Sequence, residues 1–389
     1  MKKTVALRIF AMLISICFSA CTKRTEPSQG GDSEPPVATV NPLTGLERGE
    51  DYKYGARPVA VMVNNIMSRD EYQSAWPQSG LSEADIIYEM ETEGGITRYM
   101  AIFRDYEHMP VTGPVRSARD QFVQMMIPFG SLFVHDGCST YAQALLDRFA
   151  YTDKDLTPDK GVTFRDLTLY NRGLKAYEHT EYTSGKLISD AIADESNGLS
   201  GYYTEPSNAF KWAENGTRAL KGKEISEIYF NFSKSYRARI TYDEATGKYT
   251  KEHINIVSDF SKPLVDANLD NAPVEFDNAF VLWTQISRYP DGILSNVSLN
   301  FGGVGYYFNG GRTEKVRWIK GGANDPLKIV TLDGTETEIE INPGKSYIAV
   351  VSLDYFGTFS LDGELVDAYG DYSTAEEIGT EQGVESDDN

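Results

Sequence analysis

Short apolar runs punctuate this chain, and their spacing changes along it. The first, residues 9–18, follows Lys2, Lys3 and Arg8 and is too short to span a bilayer. Residues 22–41 are rich in Pro, Gly, Ser and Thr and have no apolar period. From residue 57 the runs become strand-like. Residues 57–63, opened by Pro58 and ended by Asn64-Asn65, read as a buried strand, and residues 84–89 as a second. Residues 97–103 form a third, after a turn at Glu93-Gly94-Gly95. Helical spacing then predicts a helix over 116–126, a strand over 131–135, a helix over 139–149 capped by Ser139 or Thr140, and a helix over 183–193.

From about residue 225 the pattern turns to strands and tight turns, at 228–232, 238–242, 281–284, 304–308, 316–318 and 347–351. Asn309-Gly310-Gly311 and Asp333-Gly334 suit hairpins, because these residues tolerate positive φ. Gly302-Gly303-Val304-Gly305 reads as a bulge or turn. The expected architecture is mixed α/β: an N-terminal α/β domain over 41–195, a connecting segment over 196–224, and a mainly antiparallel β domain over 225–355 packed with it. No solenoid or propeller repeat is present.

The start of the chain has the layout of a secretory signal over 1–20. Ser19-Ala20-Cys21 resembles the lipobox of bacterial lipoproteins, with Phe18 where that motif usually has Leu; Cys17 is a poor rival because Ile16 precedes it. Cys21 is thus the expected lipidation site, residues 21–40 a tether, and the cytoplasmic membrane's outer face the expected location. With Cys21 acylated, Cys138 has no partner, so the fold depends on burial without disulfides.

Net charge is -20, and the last 28 residues, from Asp362, carry ten acidic and no basic side chains. Residues 356–389 therefore read as a solvated acidic tail. This balance argues against nucleic acid and against anionic lipid bound by simple attraction. The histidines, His108, His135, His179 and His253, have no metal-ligand spacing, and no Walker or dinucleotide motif occurs, so no metal or cofactor is expected.

Candidate chemistry concentrates in Glu93-Gly94-Gly95-Ile96-Thr97-Arg98 and Gly113-Pro114-Val115-Arg116-Ser117-Ala118-Arg119. Glycines beside arginines let backbone amides and guanidinium forks converge on an anion. The competing reading pairs Arg98, Arg116 and Arg119 with Glu89, Glu93 and Asp85 as structural ties. His135-Asp136-Gly137-Cys138-Ser139 stands where open α/β sheets place ligands, but matches no nucleophile elbow. The aromatics, including Trp76, Trp212, Trp283 and Trp318, read mainly as core; exposed ones beside polar groups would stack on sugar faces.

Several stretches resemble the YerB-like lipoproteins, whose two conserved regions are domains of unknown function. They are Leu43-Thr44-Gly45-Leu46, Arg57-Pro58-Val59-Ala60-Val61-Met62 with Asn64, Pro77-Gln78-Ser79-Gly80-Leu81, Ala84-Asp85-Ile86-Ile87-Tyr88-Glu89 and the two Gly-Arg stretches above. The second region is matched through Gly305-Tyr306, Val316-Arg317-Trp318, Asp325-Pro326 and Asn342-Pro343-Gly344, so the likeness covers residues 41–353. Where the family pattern is closer to His-x-Gly-Gly-Ser, Cys138 replaces the second Gly. The resemblance implies an envelope lipoprotein with a mixed α/β fold and no established enzyme activity.

These readings favour a binding protein without catalysis, its partner a polar envelope ligand or an envelope protein. Asn64, Glu93, Arg98, Arg116, Ser117, Arg119, His135 and Ser139 are its candidate site residues. The alternatives are a cell-wall hydrolase or transferase using Glu89 or Glu93 with Asp136, and a scaffold with an exposed apolar patch.

Overall fold

The computed structural model describes residues 40–47, 55–104, 106–202, 208–214 and 216–366. The signal segment, nearly all of the tether with Cys21, parts of the connecting segment and the tail beyond residue 366 lie outside the described residues. No described helix is long and apolar enough to cross a membrane.

The N-terminal region alternates strands with short helices. In chain order these are β1 (Val59–Asn64), β2 (Ile86–Glu91), β3 (Thr97–Phe103), α1 (Asp120–Met126), β4 (Leu132–Val134), α2 (Thr140–Arg148), β5 (Asp155–Leu156), β6 (Thr163–Arg165), α3 (Leu167–Asn171), β7 (Glu181–Thr183) and α4 (Gly185–Ala193). β1, β2 and β3 are buried on both faces, as their unbroken apolar runs require. The helix expected over 116–126 starts only at Asp120. Residues 115–119 are instead drawn into pairing with strand ends: Arg116 N–H bonds Met62 O at 2.9 Å and Ala118 N–H bonds Gly137 O at 2.9 Å. Thr183 likewise belongs to β7, and α4 begins after a Ser184 cap.

The C-terminal region contributes β8 (Glu227–Asn231), β9 (Tyr236–Asp243), β10 (Lys248–Asn255), β11 (Phe260–Pro263), the short pair β12 (Val265–Asp266) and β13 (Ala272–Pro273), β14 (Asn278–Thr284), the pair β15 (Ile286–Arg288) and β16 (Ser295–Val297), then β17 (Gly303–Asn309), β18 (Arg312–Ile319), β19 (Lys328–Val330), β20 (Ser346–Ser352), β21 (Ser360–Leu361) and β22 (Glu364–Leu365). Of the Gly302–305 stretch, only Gly302 makes a turn; the rest belongs to β17, and a side chain at Gly303 would strike the Trp283 carbonyl. Residues 356–366 are not tail. Phe356 and Phe359 pack on Trp283, and β21 and β22 complete a sheet, because aromatic burial outweighs the acidic composition here.

Two sheets organise the molecule. A ten-stranded mixed sheet runs β19-β18-β17-β14-β20-β2-β3-β1-β4-β5, and a six-stranded antiparallel sheet runs β11-β10-β9-β8-β21-β22. The N-terminal and C-terminal parts join within the larger sheet, where β2 and β20 pair in parallel from Ile86↔Ser346 to Met90↔Val350. One face of that sheet packs on the smaller sheet through residues such as Val61, Tyr347, Phe230 and Ile240. Its other face is covered by α1 and α2 through Phe122, Met126 and Leu146. The result is three layers with the larger sheet in the middle.

Candidate functional site

β1 is parallel to β4, and both β1 and β2 are antiparallel to β3, so β1, β2 and β4 point the same way. β2 and β4 deliver residues 92–96 and 135–139 from their carboxyl ends, and residues 113–119 pair alongside the carboxyl end of β1, so the three segments meet where open α/β sheets hold ligands. Glu93 is its electrostatic centre. Arg98 Nη2 donates to Glu93 Oε1 at 2.8 Å and Arg119 Nε to Oε2 at 2.8 Å, with a further bond from Arg119 Nη2. Arg98 is anchored in turn to Ser117 O at 2.6 Å, and Arg119 to Ala118 O at 2.7 Å. Burial works to raise the Glu93 pKa, but the Arg119 bonds and the Arg98 charge win and hold it at about 2. Burial also draws Arg98 down to about 10, with the nearby Arg119 charge acting the same way and Glu93 opposing.

Arg116 is held differently. Its nearest carboxylate is Glu178, 3.9 Å away, and its Nε is buried with no hydrogen-bond partner. Its charge acts on Arg98 as well, while Glu93 accepts three bonds from Arg98 and Arg119 and none from Arg116. Ser117 lies beside Arg116, half-buried, against Gly137. Behind them Asn64 donates to His179 Nδ1 at 3.0 Å and accepts from Ile66 N–H at 3.0 Å. Burial lowers the His179 pKa, which suits an acceptor ring.

The 135–139 loop is built for support. His135 is enclosed, its Nε2 2.7 Å from Asp155 Oδ1 and its Nδ1 2.7 Å from Gly137 O. Neither nitrogen is turned to Cys138 or Ser139. Cys138 Sγ donates to Gln143 Oε1 at 3.1 Å, and burial, aided by the Asp155 charge, raises its pKa. Ser139 Oγ accepts from Ala142 N–H at 3.1 Å and caps α2. Asp136 pairs with Arg165 at 2.8 Å, and Arg165 also forms an ion pair with Glu181. Burial and the hydrogen bond shared with Asp136 raise the Glu181 pKa.

Thus Glu93, Arg116, Ser117 and Arg119 form the outer part of the cluster, while Asn64, Arg98, His135 and Ser139 are buried supports. The structural pairing expected for the arginines holds for Arg98 and Arg119 with Glu93, but not for Glu89 or Asp85. Glu89 pairs with Lys251 at 3.0 Å, and Asp85 accepts from Asn41 and from Arg104 N–H. The carboxylate pair considered for catalysis is not assembled either: Glu89 is fully enclosed, Glu93 is ionised by its arginines, and neither is bonded to Asp136. Asp136 is instead paired with Arg165 and, beside burial, helps raise the pKa of neighbouring Glu181. No group of three or more metal-ligating side chains occurs among the described residues.

Arg165, Glu178, His179 and Glu181 belong to this site yet are not among the candidate site residues the sequence offers. They lie on β6, β7 and the turn before β7, elements too short to show a period. Two hollows lie elsewhere, at the amino ends of the strands. One of about 90 Å³ beside Asp85, Arg104 and Lys345 has room for a few waters; another of about 430 Å³ is of mixed character, with Ile127, Phe149 and Pro326 beside Arg57, Lys154 and Asn324. The arginine cluster is the stronger candidate because its charges are incompletely answered.

Residues 43–200 match the model of the protein of unknown function (DUF3048) N-terminal domain, and residues 228–348 that of the DUF3048 C-terminal domain. The chain belongs to the YerB-like family. It is 30% identical over 312 residues to “Putative lipoprotein YerB” of Bacillus subtilis (strain 168), covering 80% of this chain and 85% of that protein. The crystal structure of YerB protein from Bacillus subtilis superposes with a TM-score of 0.65 at 27% identity, covering 83% of this chain and 99% of the other. The mixed α/β architecture is therefore the YerB-like fold, and both matched regions meet in its larger sheet.

Proposed function

We propose that this protein is a lipoprotein held by Cys21 on the outer face of the cytoplasmic membrane, where it binds an anionic group of an envelope ligand without catalysis. Arg116 carries the reading. Its charge acts on Arg98, whose carboxylate partner Glu93 is shared with Arg119, and its own nearest carboxylate is 3.9 Å away. An incoming carboxylate or phosphate would satisfy it with bidentate bonds, with Ser117 alongside. The lipobox at Cys21 and the lipoprotein name of the Bacillus relative support the anchoring.

The test is native mass spectrometry of the full chain, purified in neutral detergent from its own host, beside Arg116→Ala. A co-purifying anionic mass lost in the variant is the expected result. A mass retained by Arg116→Ala, or its absence from both proteins together with no binding of added phosphate or carboxylates, overturns the reading.

A further inference from the structure

Five of the fourteen large apolar side chains exposed among the described residues lie in one short stretch: Phe164, Leu167, Tyr170, Leu174 and Tyr177. Of these, Tyr170 and Tyr177 touch one another, and exposed aromatic rings held together are candidates for an interaction site. The stretch is also ordered. The Arg165 guanidinium sits 4.3 Å from the Tyr177 ring centroid, and Tyr170 meets Tyr177 edge-on at 5.7 Å and 83°. The same Arg165 pairs with Asp136, whose N–H bonds Arg116 O, so the rings adjoin the arginine cluster.

We infer that the ligand of the arginine site is an acidic saccharide strand, its carboxylate taken by Arg116 and an adjacent sugar face laid on Tyr177, which Tyr170 braces edge-on. This rests on the binding reading above and names its ligand class. Flat rings at fixed orientation offer apolar area at low entropic cost, and they suit the C–H faces of pyranose rings. The polar groups around them have both signs. Arg116, Arg165 and exposed Arg172 stand with Glu178 and Asp166, which matches a polymer that alternates carboxylates with hydroxyl donors. An anionic bilayer surface would instead select basic groups without carboxylates. A chain of net charge -20 attracts no polyanion at long range, so the affinity must come from these short contacts.

The test is calorimetric titration of the full chain in neutral detergent with three probes: a tetrasaccharide alternating glucuronate and N-acetylglucosamine, a neutral tetrasaccharide of N-acetylglucosamine, and inorganic phosphate. The acidic tetrasaccharide should bind tightest. Tyr177→Ala should weaken it about tenfold, the scale of one lost stacking contact, and Arg116→Ala should reduce it to the level of the neutral sugar. Equal acidic-sugar binding by wild type, Tyr170→Ala and Tyr177→Ala would overturn the platform and leave the anion site standing. Phosphate binding that depends on Arg116, with neither sugar bound, would overturn the saccharide assignment alone. Failure of all three probes would overturn both. Capture of a protein partner lost on Tyr177→Ala, without sugar binding, would make the patch a protein interface and overturn the inference.

Discussion

Lys251 of the smaller sheet places its ammonium 3.0 Å from the Glu89 carboxylate of the larger sheet, with both side chains closed off from solvent. Tyr347 donates to the same carboxylate at 2.5 Å, Thr97 at 2.7 Å and Asn65 at 3.0 Å, while Lys251 also donates to Tyr99 at 2.9 Å. Burial lowers the lysine's pKa and the glutamate charge opposes it. Removing one partner leaves an unanswered buried charge, so Lys251→Met should cost about 3–5 kcal/mol. The double variant Glu89→Gln with Lys251→Met should recover most of that loss. Urea unfolding of the wild type and both variants checks this, and a loss below ~1 kcal/mol for Lys251→Met would show the pair to be dispensable.

Asp85 and Glu93 should bend the stability profile in opposite directions. Burial raises Asp85 from 3.8 to about 6, so its contribution is complete below pH 3.8 and is lost as pH rises toward 6. Glu93 falls from 4.5 to about 2, so its contribution is complete above pH 4.5 and is lost as pH falls toward 2. Unfolding free energies from pH 2 to 7 should lose the first slope in Asp85→Asn and the second in Glu93→Gln. Unchanged slopes would mean that these carboxyls titrate alike in both states.

Cys138 should alkylate slowly. Its thiol is half-buried, bonded to Gln143, and raised in pKa by burial and by Asp155. The iodoacetamide rate at pH 7.5 should fall several-fold below that of a free peptide thiol and rise with pH through a midpoint above it. A fast, low-pKa reaction would reopen a nucleophilic role.

Cys21→Ser should move the protein from the membrane fraction to the medium and abolish incorporation of labelled palmitate. Retention in the membrane would place the anchor elsewhere.

Runs such as 57–63 and 97–103 were legible because β-branched and aromatic residues filled both faces of central strands. β10 was not, because it turns Lys251 and His253 inward, and only partners from distant elements make that tolerable. The arginines were legible as a cluster from their glycine neighbours. Which of them would be left without a close carboxylate depended on Glu93 folding back between Arg98 and Arg119, and that geometry has no sequence period. Glu178 and Arg165 joined the site through a hairpin of three-residue strands, below the length at which alternation can be read.

The β2–β20 seam sets the order of assembly. Its partners are 260 residues apart in the chain, as in Ile86 and Ser346, so closing it carries a large loop entropy that local helices and hairpins cannot repay in advance. A chain emerging amino end first has β2 without that neighbour until almost everything has been delivered. The two DUF3048 regions are then separate as sequence matches but not as folding units, and an N-terminal fragment ending near residue 200 would carry an open, apolar strand edge prone to pairing with other copies.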